Sequence, residues 1–291
     1  MTSENASSTT TIAVVGATGQ QGGAAARALL AAGYGVRALT RDPGSAAART
    51  LVAAGADAVA VDLEDAASVR AAFDGVAGVF AMTTMPETAG DESPTEAETR
   101  HGRVIADAAK ASGVRHLVYS SVGAAERGTG IPHFESKFRV ERYIAEIGQP
   151  ATILRPVFFM ENLRAGVEDG RVVLALPLPD GIPMQMVATA DIGRVAAAVM
   201  LDPAWVGRSV EMAGDTRTGS EMAAAFGRVA GLPADYRALP LSVLDGNEDM
   251  RAMFSWFTEP STYAADFAAT RALDPDVLSL DAWIATSGWA A

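Results

Sequence analysis

The sequence contains no cysteine, which excludes disulfide bonds, thiolate catalysis and cysteine-bound zinc. Histidine is also scarce, since His101, His116 and His133 are the three in 291 residues, and their spacing fits no metal-binding pair. We therefore expect no bound metal. A chain without cysteine is compatible with a reducing compartment, and the cytoplasm is the expected location.

Basic residues are outnumbered, with 23 lysines and arginines against 35 acids and a net charge of −12. Such a chain repels phosphate backbones, which disfavours direct nucleic-acid binding, whereas a basic protein partner stays compatible. No apolar run approaches the roughly 18 residues of a membrane-spanning helix, so we expect no membrane insertion. Residues 1–10 are small and polar, without the basic and apolar segments of a signal peptide, and we expect a disordered tail. The oligomeric state stays open.

Hydrophobic residues make up 49% of the chain, enough for a sizeable core, and their pattern alternates between strands and helices. The predicted strands are Thr11–Val15, Val36–Thr40, Ala58–Val61, Gly78–Met82, Leu117–Ser120 and Thr152–Leu154. The predicted helices between them are Gln20–Ala32, Ser45–Ala54, Ala66–Phe73, Thr95–Ser112 and Phe134–Ile147. This alternation predicts an α/β fold, a doubly wound parallel-sheet Rossmann domain over residues 11–156.

The pattern changes after Pro156. Proline and glycine interrupt residues 174–183, and helices are predicted over 192–201 and 220–229. We interpret residues 157–291 as a smaller α/β region that binds substrate or forms a lid. Its large aromatic residues have two interpretations, an aromatic lid or packing against the main domain. They include Phe254, Trp256 and Phe257.

The first predicted strand runs into Gly16–Gly23, a turn with the pattern G-x-x-G-x-x-G, and then into an alanine-rich helix. The first glycine permits the tight turn, the second lets a phosphate approach the backbone, and Gly22 or Gly23 allows the helix to pack closely. Free N–H groups at the helix start favour a pyrophosphate. An ordinary turn without a ligand is the alternative, and we favour a dinucleotide site. Its predicted residues in this turn are Gly16, Thr18, Gly19, Gln20, Gln21 and Gly22.

The end of the second predicted strand decides between NAD(H) and NADP(H). Arg41 follows that strand at about the usual distance from the glycines, where a cation suits a 2′-phosphate. We therefore predict NADP(H), with a solvated loop charge as the alternative for Arg41 and Arg37 as a second candidate. Asp42 is predicted to form a turn. Asp62, after the third strand, is expected to bind the adenine amino group, to cap a helix, or both.

Two long loops are predicted at strand ends, Thr83–Pro94 and Gly123–Pro132. Ligands bind at the carboxyl ends of the strands in such sheets, so long loops there are expected to be functional. Thr83, the first residue of one loop, is a predicted cofactor contact.

Several segments form a combination that is more specific than the glycine turn alone. They are Gly16–Gly23, Arg37–Pro43, His133–Lys137, Val140–Ile144, Leu154–Pro156, Phe159–Leu163 and Asp191–Gly193. Together they resemble the NmrA-like family of atypical short-chain dehydrogenase/reductases, over roughly residues 11–240. The resemblance implies a Rossmann domain and a preference for NADP(H). It implies one of two roles: reduction of quinones, dyes or isoflavone-like molecules with NADPH, or dinucleotide sensing by a regulator that binds a protein partner.

Short-chain dehydrogenases carry a serine that polarises the substrate carbonyl, a tyrosine that donates a proton, and a lysine one helical turn later that holds the nicotinamide ribose. The resemblance puts Ser120 and Ser121 in the serine region and Lys137 at the lysine. His133 stands where the tyrosine is usual. Imidazole exchanges protons near neutrality, so His133 either replaces the phenol or is a bystander at a helix start.

Phe158 and Asn162 follow the sixth predicted strand and are predicted to line the nicotinamide pocket, with packing in the core as the alternative for Phe158. Tyr119 is expected to pack in the core, and Tyr143 lies on another helix face. The sequence favours an NADPH-dependent reductase of a quinone, enone or similar small molecule. The alternative is a non-catalytic NADP(H)-sensing regulator of a basic protein partner. Sugar-nucleotide epimerisation is disfavoured, because enzymes of that kind keep the tyrosine.

Overall fold

The structure is a computed structural model that describes residues 9–86 and 91–290. Its strands are β1 (Thr11–Val14), β2 (Gly35–Thr40), β3 (Asp57–Ala60), β4 (Gly78–Met82), β5 (His116–Ser120), β6 (Ala151–Pro156), β7 (Phe158–Phe159), β8 (Ala165–Glu168), β9 (Arg171–Leu176), β10 (Met184–Val187), β11 (Ser209–Met212), β12 (Asp215–Arg217) and β13 (Ala234–Ala238). Its helices are α1 (Gln20–Ala31), α2 (Ala46–Ala53), α3 (Ala66–Ala72), α4 (Pro94–Ala111), α5 (Pro132–Glu146), α6 (Thr189–Val199), α7 (Gly219–Ala230), α8 (Glu248–Trp256), α9 (Phe267–Leu273) and α10 (Leu280–Thr286). None of the helices in these two ranges has the length and apolar character needed to cross a lipid bilayer.

A seven-stranded sheet forms the centre of the described chain, in the order β11-β6-β5-β4-β1-β2-β3. All neighbouring strands in it are parallel; Ile12 of β1, for example, lies opposite Val36 of β2 and Gly78 of β4. The strand order reverses between β1 and β4, and ligands bind at the carboxyl ends of the strands beside such a reversal. This is the doubly wound Rossmann arrangement, so the predicted fold class is confirmed.

The strands and helices predicted for residues 11–156 are confirmed, and their ends differ from the observed ones by at most two residues. Polar caps explain where several helices begin. Ser45 caps α2, Asp65 caps α3, and Ser93 forms a reciprocal capping box with Glu96 at the start of α4. Part of the predicted loop Thr83–Pro94, residues 87–90, lies outside the described residues.

The chain after Pro156 supplies more sheet than the sequence pattern indicated. β11 joins the main sheet beside β6, and two smaller sheets have the orders β12-β10-β7 and β13-β9-β8. These strands are two to six residues long, too short for hydrophobic alternation to be a clear signal. α6 packs closely along α1, because a Cβ atom on Gly193 would lie only 2.6 Å from the backbone of Ala24. The second half of the chain therefore lies directly against the first helix of the glycine turn.

The aromatic residues of the second half belong to its core. Phe254, Trp256 and Phe257 are 4%, 6% and 3% exposed, and the rings of Trp256 and Phe257 both contact Tyr263. The packing interpretation of these residues is therefore correct, and the lid interpretation is wrong for their side chains. Burial of such rings contributes a large share of the hydrophobic stabilisation of this region.

Candidate functional site

The glycine turn has the backbone geometry that a phosphate site requires. Gly16 has a φ of +65°, and Gly19 is the N-cap residue of α1. A Cβ atom on Gly22 would lie 2.2 Å from the carbonyl oxygen of Gly16, whereas one on Gly23 would lie 3.2 Å from the nearest backbone oxygen. Of the two alternatives left open by the sequence, Gly22 is thus the residue that allows the helix to approach the turn.

The start of α1 is suited to an anion. Its first turn carries no acidic residue, and no side chain of the described residues caps it, so its first N–H groups are suited to an anion. The Thr18 and Thr40 hydroxyls are 3.2 Å apart, which ties the turn to the end of β2. Gln21 is turned inward, where its Oε1 accepts a 2.7 Å hydrogen bond from the Ser120 hydroxyl. Both of these predicted site residues are buried, and their side chains join α1 to the end of β5.

Arg41 and Arg37, the two cationic candidates for a 2′-phosphate, have different surroundings. Arg41 is exposed just beyond β2, and no hydrogen bond or ion pair joins its side chain to another described residue. The Arg37 guanidinium instead donates 2.9 Å hydrogen bonds to the carbonyl oxygens of Ala72 and Asp74, at the end of α3. Arg37 is therefore engaged in holding a helix end, which removes it as the second candidate.

The two aspartates near the adenine end both form local turns. Asp42 accepts from the Gly44 amide at 2.8 Å, as predicted. Exposed Asp62 accepts from the Glu64 amide at 3.0 Å, and Asp65 is the residue that caps α3. The expectation that Asp62 caps a helix is wrong, because α3 begins three residues later than that cap would require.

A buried ion pair lies where β4 ends against α5. The Lys137 ammonium donates to the Thr83 carbonyl oxygen at 2.7 Å and to Glu98 Oε1 at 2.8 Å. The Glu98 side chain on α4 is 1% exposed and also accepts from the hydroxyls of Thr83 and Ser136. Burial raises the pKa of the Glu98 carboxyl, but the Lys137 charge and these hydrogen bonds outweigh it, so the pKa lies below its usual range. Lys137 therefore stays beside an ionised carboxylate.

Sequence reasoning missed Glu98. A glutamate in an 18-residue helix is normally a solvated charge, and its partner Lys137 is 39 residues away in the chain. The signal that could have found it is its spacing within α4, since it falls among residues that pack inward, such as Ala97, Ile105 and Ala109.

His133 is also held by a carboxylate. Asp249 Oδ1 on α8 lies 2.8 Å from His133 Nδ1 and 2.9 Å from the backbone nitrogen of His133. The two side chains are 19% and 15% exposed. Burial raises the pKa of Asp249, but the hydrogen bonds and charge of His133 outweigh it, so the pKa lies below its ordinary value. Asp249 was missed because 116 residues separate it from His133.

The other hydroxyl groups near the site have distinct environments. Tyr119 is fully buried with its hydroxyl 2.8 Å from Thr83 Oγ1, and burial and then the charge of Glu98 hold its pKa well above the ordinary value. Tyr143 donates to Asp107 at the surface, so neither tyrosine replaces the missing phenol. Ser121 is 3% exposed, and its hydroxyl has no hydrogen-bond partner among the described residues.

Phe158 and Asn162 differ in burial. Phe158 is 5% exposed and packs edge-on against Phe254 and Phe257, whereas Asn162 is exposed at the end of a 3₁₀ turn. Between them, Glu161 accepts from Trp283 Nε1 and from Thr189, and so ties this turn to α10 and α6. Asn162 is the more accessible of the two predicted pocket residues.

The structure thus brings four features to the carboxyl ends of β1, β4 and β5. They are the glycine turn, Thr83, the hydrogen bond between Ser120 and Gln21, and the ion pair between Lys137 and Glu98. An anion fits the start of α1, the exposed Arg41 guanidinium lies beyond β2, and an ammonium and an imidazole lie one turn apart on α5. No group of three or more metal-ligating side chains converges within residues 9–86 and 91–290. The arrangement can bind a dinucleotide and supply a proton beside it.

Comparison with known proteins agrees with this geometry. The model of the NmrA-like family matches residues 8–284. The NmrA-like family domain-containing oxidoreductase FrzB of Cladobotryum sp. is 30% identical, over 89% of each chain. The solved structure of NmrA, a negative transcriptional regulator, in complex with NADP has a TM-score of 0.78 at 23% identity over 94% of each chain, and NmrA was also solved with NAD. The NADPH complex of the quinone oxidoreductase QOR2 of Escherichia coli has a TM-score of 0.76 at 24% identity, over 94% of this chain and 98% of that one.

The family match covers nearly the whole chain, and the FrzB relative covers most of both proteins. The resemblance inferred from the sequence motifs is confirmed. The chain is a member of the NmrA-like family.

Proposed function

We propose that the protein is an NADP(H)-dependent reductase of an electron-poor small molecule such as a quinone or an enone. The observation that carries the proposal is the proximity of two features at neighbouring strand ends. One is the glycine turn, where the space at Gly22 is too small for any side chain. The other is the Lys137 ammonium, which donates hydrogen bonds to Thr83 and Glu98.

The described residues fit a nicotinamide dinucleotide. A pyrophosphate would take the N–H groups of Gln20 and Gln21 at the start of α1, where a Cβ on Gly22 is sterically impossible. Arg41 is exposed beyond β2, which supports a contact with a 2′-phosphate. The NmrA fold accepts both NADP and NAD in its solved complexes, so the preference for NADP(H) rests on Arg41 of this chain.

The bound cofactor would supply a hydride, and the protein would position it and complete the proton balance. Lys137 donates to Thr83 and Glu98, and its third N–H, which has no acceptor among the described residues, would bind the nicotinamide ribose. His133 lies one turn before Lys137 on the same helix and is the candidate proton donor. A quinone oxidoreductase among the solved structures of similar fold supports this class of acceptor.

A regulatory role is the second proposal, and two observations favour it. His133 occupies the position of the usual tyrosine, and NmrA itself is a transcriptional regulator. In that case cofactor occupancy would change the affinity for a partner, and the net charge of −12 favours a basic one.

The test follows NADPH oxidation by the purified protein across a panel of quinones and enones. Lys137→Met is compared with Lys110→Met, since these are the two lysines of the chain and Lys110 is exposed at the end of α4. We expect turnover in the wild type and in Lys110→Met, and its loss in Lys137→Met with the fold retained. Wild-type protein that binds NADPH and reduces no acceptor would reject the reductase and favour the regulator.

A further inference from the structure

Asp249 makes an unusual double contact with the start of α5. One carboxylate oxygen accepts from both the backbone N–H and the Nδ1 of His133, at 2.9 and 2.8 Å. An ionised carboxylate can only accept hydrogen bonds, so Nδ1 must carry the hydrogen in this contact. The ring is thereby fixed in orientation, and Nε2 is the ring nitrogen without a hydrogen-bond partner among the described residues.

The surroundings of His133 contain further charges. Lys137 lies one turn later on α5, and its charge is matched by Glu98 of α4 at 2.8 Å. Glu135, also on α5, is turned toward the Gly130 amide. Asp249, contributed by α8, is therefore the carboxylate that directly faces the imidazole.

We propose that Asp249 is a positioning residue that fixes His133 as the Nδ1–H form, so that Nε2 delivers the proton that completes the reduction. This inference rests on the proposed reductase function. In the reaction a C–H bond of the dihydronicotinamide would break as that ring is oxidised, and the acceptor would gain the hydride at carbon. The C=C or C=O π bond of the acceptor would break, and its electron pair would move to oxygen. The Nε2–H bond of protonated His133 then breaks as the new O–H bond forms. His133 is left neutral, with Nδ1–H directed at Asp249, and it regains the Nε2 proton from solvent.

A purely structural role makes different predictions. Asp249 also supplies an acceptor to the first turn of α5, where the N-cap Ile131 has no side-chain acceptor. If that were its whole role, substitution would lower stability and would affect every acceptor equally. Asp249→Asn retains an oxygen for the backbone N–H of His133, removes the charge, and adds an amide NH2 that can donate to an unprotonated Nδ1. Asp245→Asn is the matched control, because Asp245 is 63% exposed and pairs with exposed Arg251.

The first experiment needs no turnover. Nitrogen-15 NMR of labelled histidine, with His133 assigned by its loss in His133→Gln, reports which ring nitrogen carries the hydrogen. We expect Nδ1–H in the wild type and in Asp245→Asn, and a mixture of the two tautomers in Asp249→Asn. An identical tautomer population in Asp249→Asn would overturn the positioning role whether or not the protein is a reductase.

The second experiment compares two acceptors in the NADPH-loaded protein. A quinone needs a hydride and a proton, whereas a triarylmethyl cation dye needs the hydride alone. We expect His133→Gln to lower quinone turnover roughly 10²–10⁴-fold and Asp249→Asn at least about tenfold, with turnover of the cationic dye nearly unchanged. Equal losses on both acceptors would overturn proton delivery. Absence of wild-type turnover on either acceptor rejects the reductase, and the NMR result separates that failure from failure of the Asp249 contact.

Discussion

Glu98 provides the sharpest test of how the Lys137 site is held together. Its carboxylate is 1% exposed and accepts from Lys137, Thr83 and Ser136, so Glu98→Met leaves a buried ammonium without its counter-charge and removes one acceptor from each of two hydroxyls. Removing one member of a buried pair costs about 3–5 kcal/mol. For a chain of 291 residues we expect the unfolding midpoint to fall by roughly 5–8 °C.

Calorimetric melting measures this loss of stability. Two further variants show whether the loss comes from the buried ion pair. Glu92→Met breaks an ion pair with Arg100 whose side chains are 36% and 39% exposed, and should cost at most about 1 kcal/mol. The double variant Glu98→Met with Lys137→Met removes both charges and should recover much of the stability lost in Glu98→Met. A midpoint for Glu98→Met no lower than that for Glu92→Met would refute the buried ion pair as the organising contact of the site.

Three further predictions concern the glycine turn, the 2′-phosphate and a buried carboxyl. Gly22→Ala would put a Cβ atom 2.2 Å from a backbone oxygen, and calorimetric titration should show NADPH binding abolished, whereas Gly166→Ala, which meets no atom within 4 Å, should bind normally. Arg41→Gln should weaken NADPH binding roughly ten- to a hundredfold and leave NADH binding unchanged; equal weakening of both in the same titration would contradict a 2′-phosphate contact. Burial raises the pKa of Asp191 to about 7 against the opposing charge of Arg194, so the folded state holds this proton more tightly than the unfolded chain and loses stability as pH rises toward 7. Asp191→Asn should therefore gain in melting temperature relative to the wild type between pH 5 and 8, and a constant difference across that range would contradict the assignment.

Local patterns were sufficient to predict the nucleotide-binding half of the fold. Glycine turns, helix caps and short apolar runs act within a few residues, and the observed elements there match the predicted ones closely. The edge strand β11 could not be predicted, because four residues carry little periodicity and its pairing with β6 is set by tertiary contacts.

The candidate site was predictable only in part. Lys137 and His133 stand at positions that the family resemblance marks, and the glycine turn has its own signature. Glu98 and Asp249 have no such signature, because each joins the site through a partner that is distant in the chain. Lys137 is 39 residues from Glu98, and His133 is 116 residues from Asp249. A side chain's burial beside an opposite charge is a property of the folded chain, and neither residue type nor spacing encodes it directly.

The central claim is that this chain binds NADPH in the glycine turn and passes its hydride to a small acceptor. The most direct measurement is a single-turnover experiment in which preformed protein–NADPH complex is mixed with a quinone and nicotinamide fluorescence is followed in time. In the wild type and in Lys110→Met, we predict that the fluorescence decays much faster than that of free NADPH. In Lys137→Met we predict no such fast decay. A bound cofactor whose fluorescence decays no faster than free NADPH, across quinones and enones alike, would contradict the account.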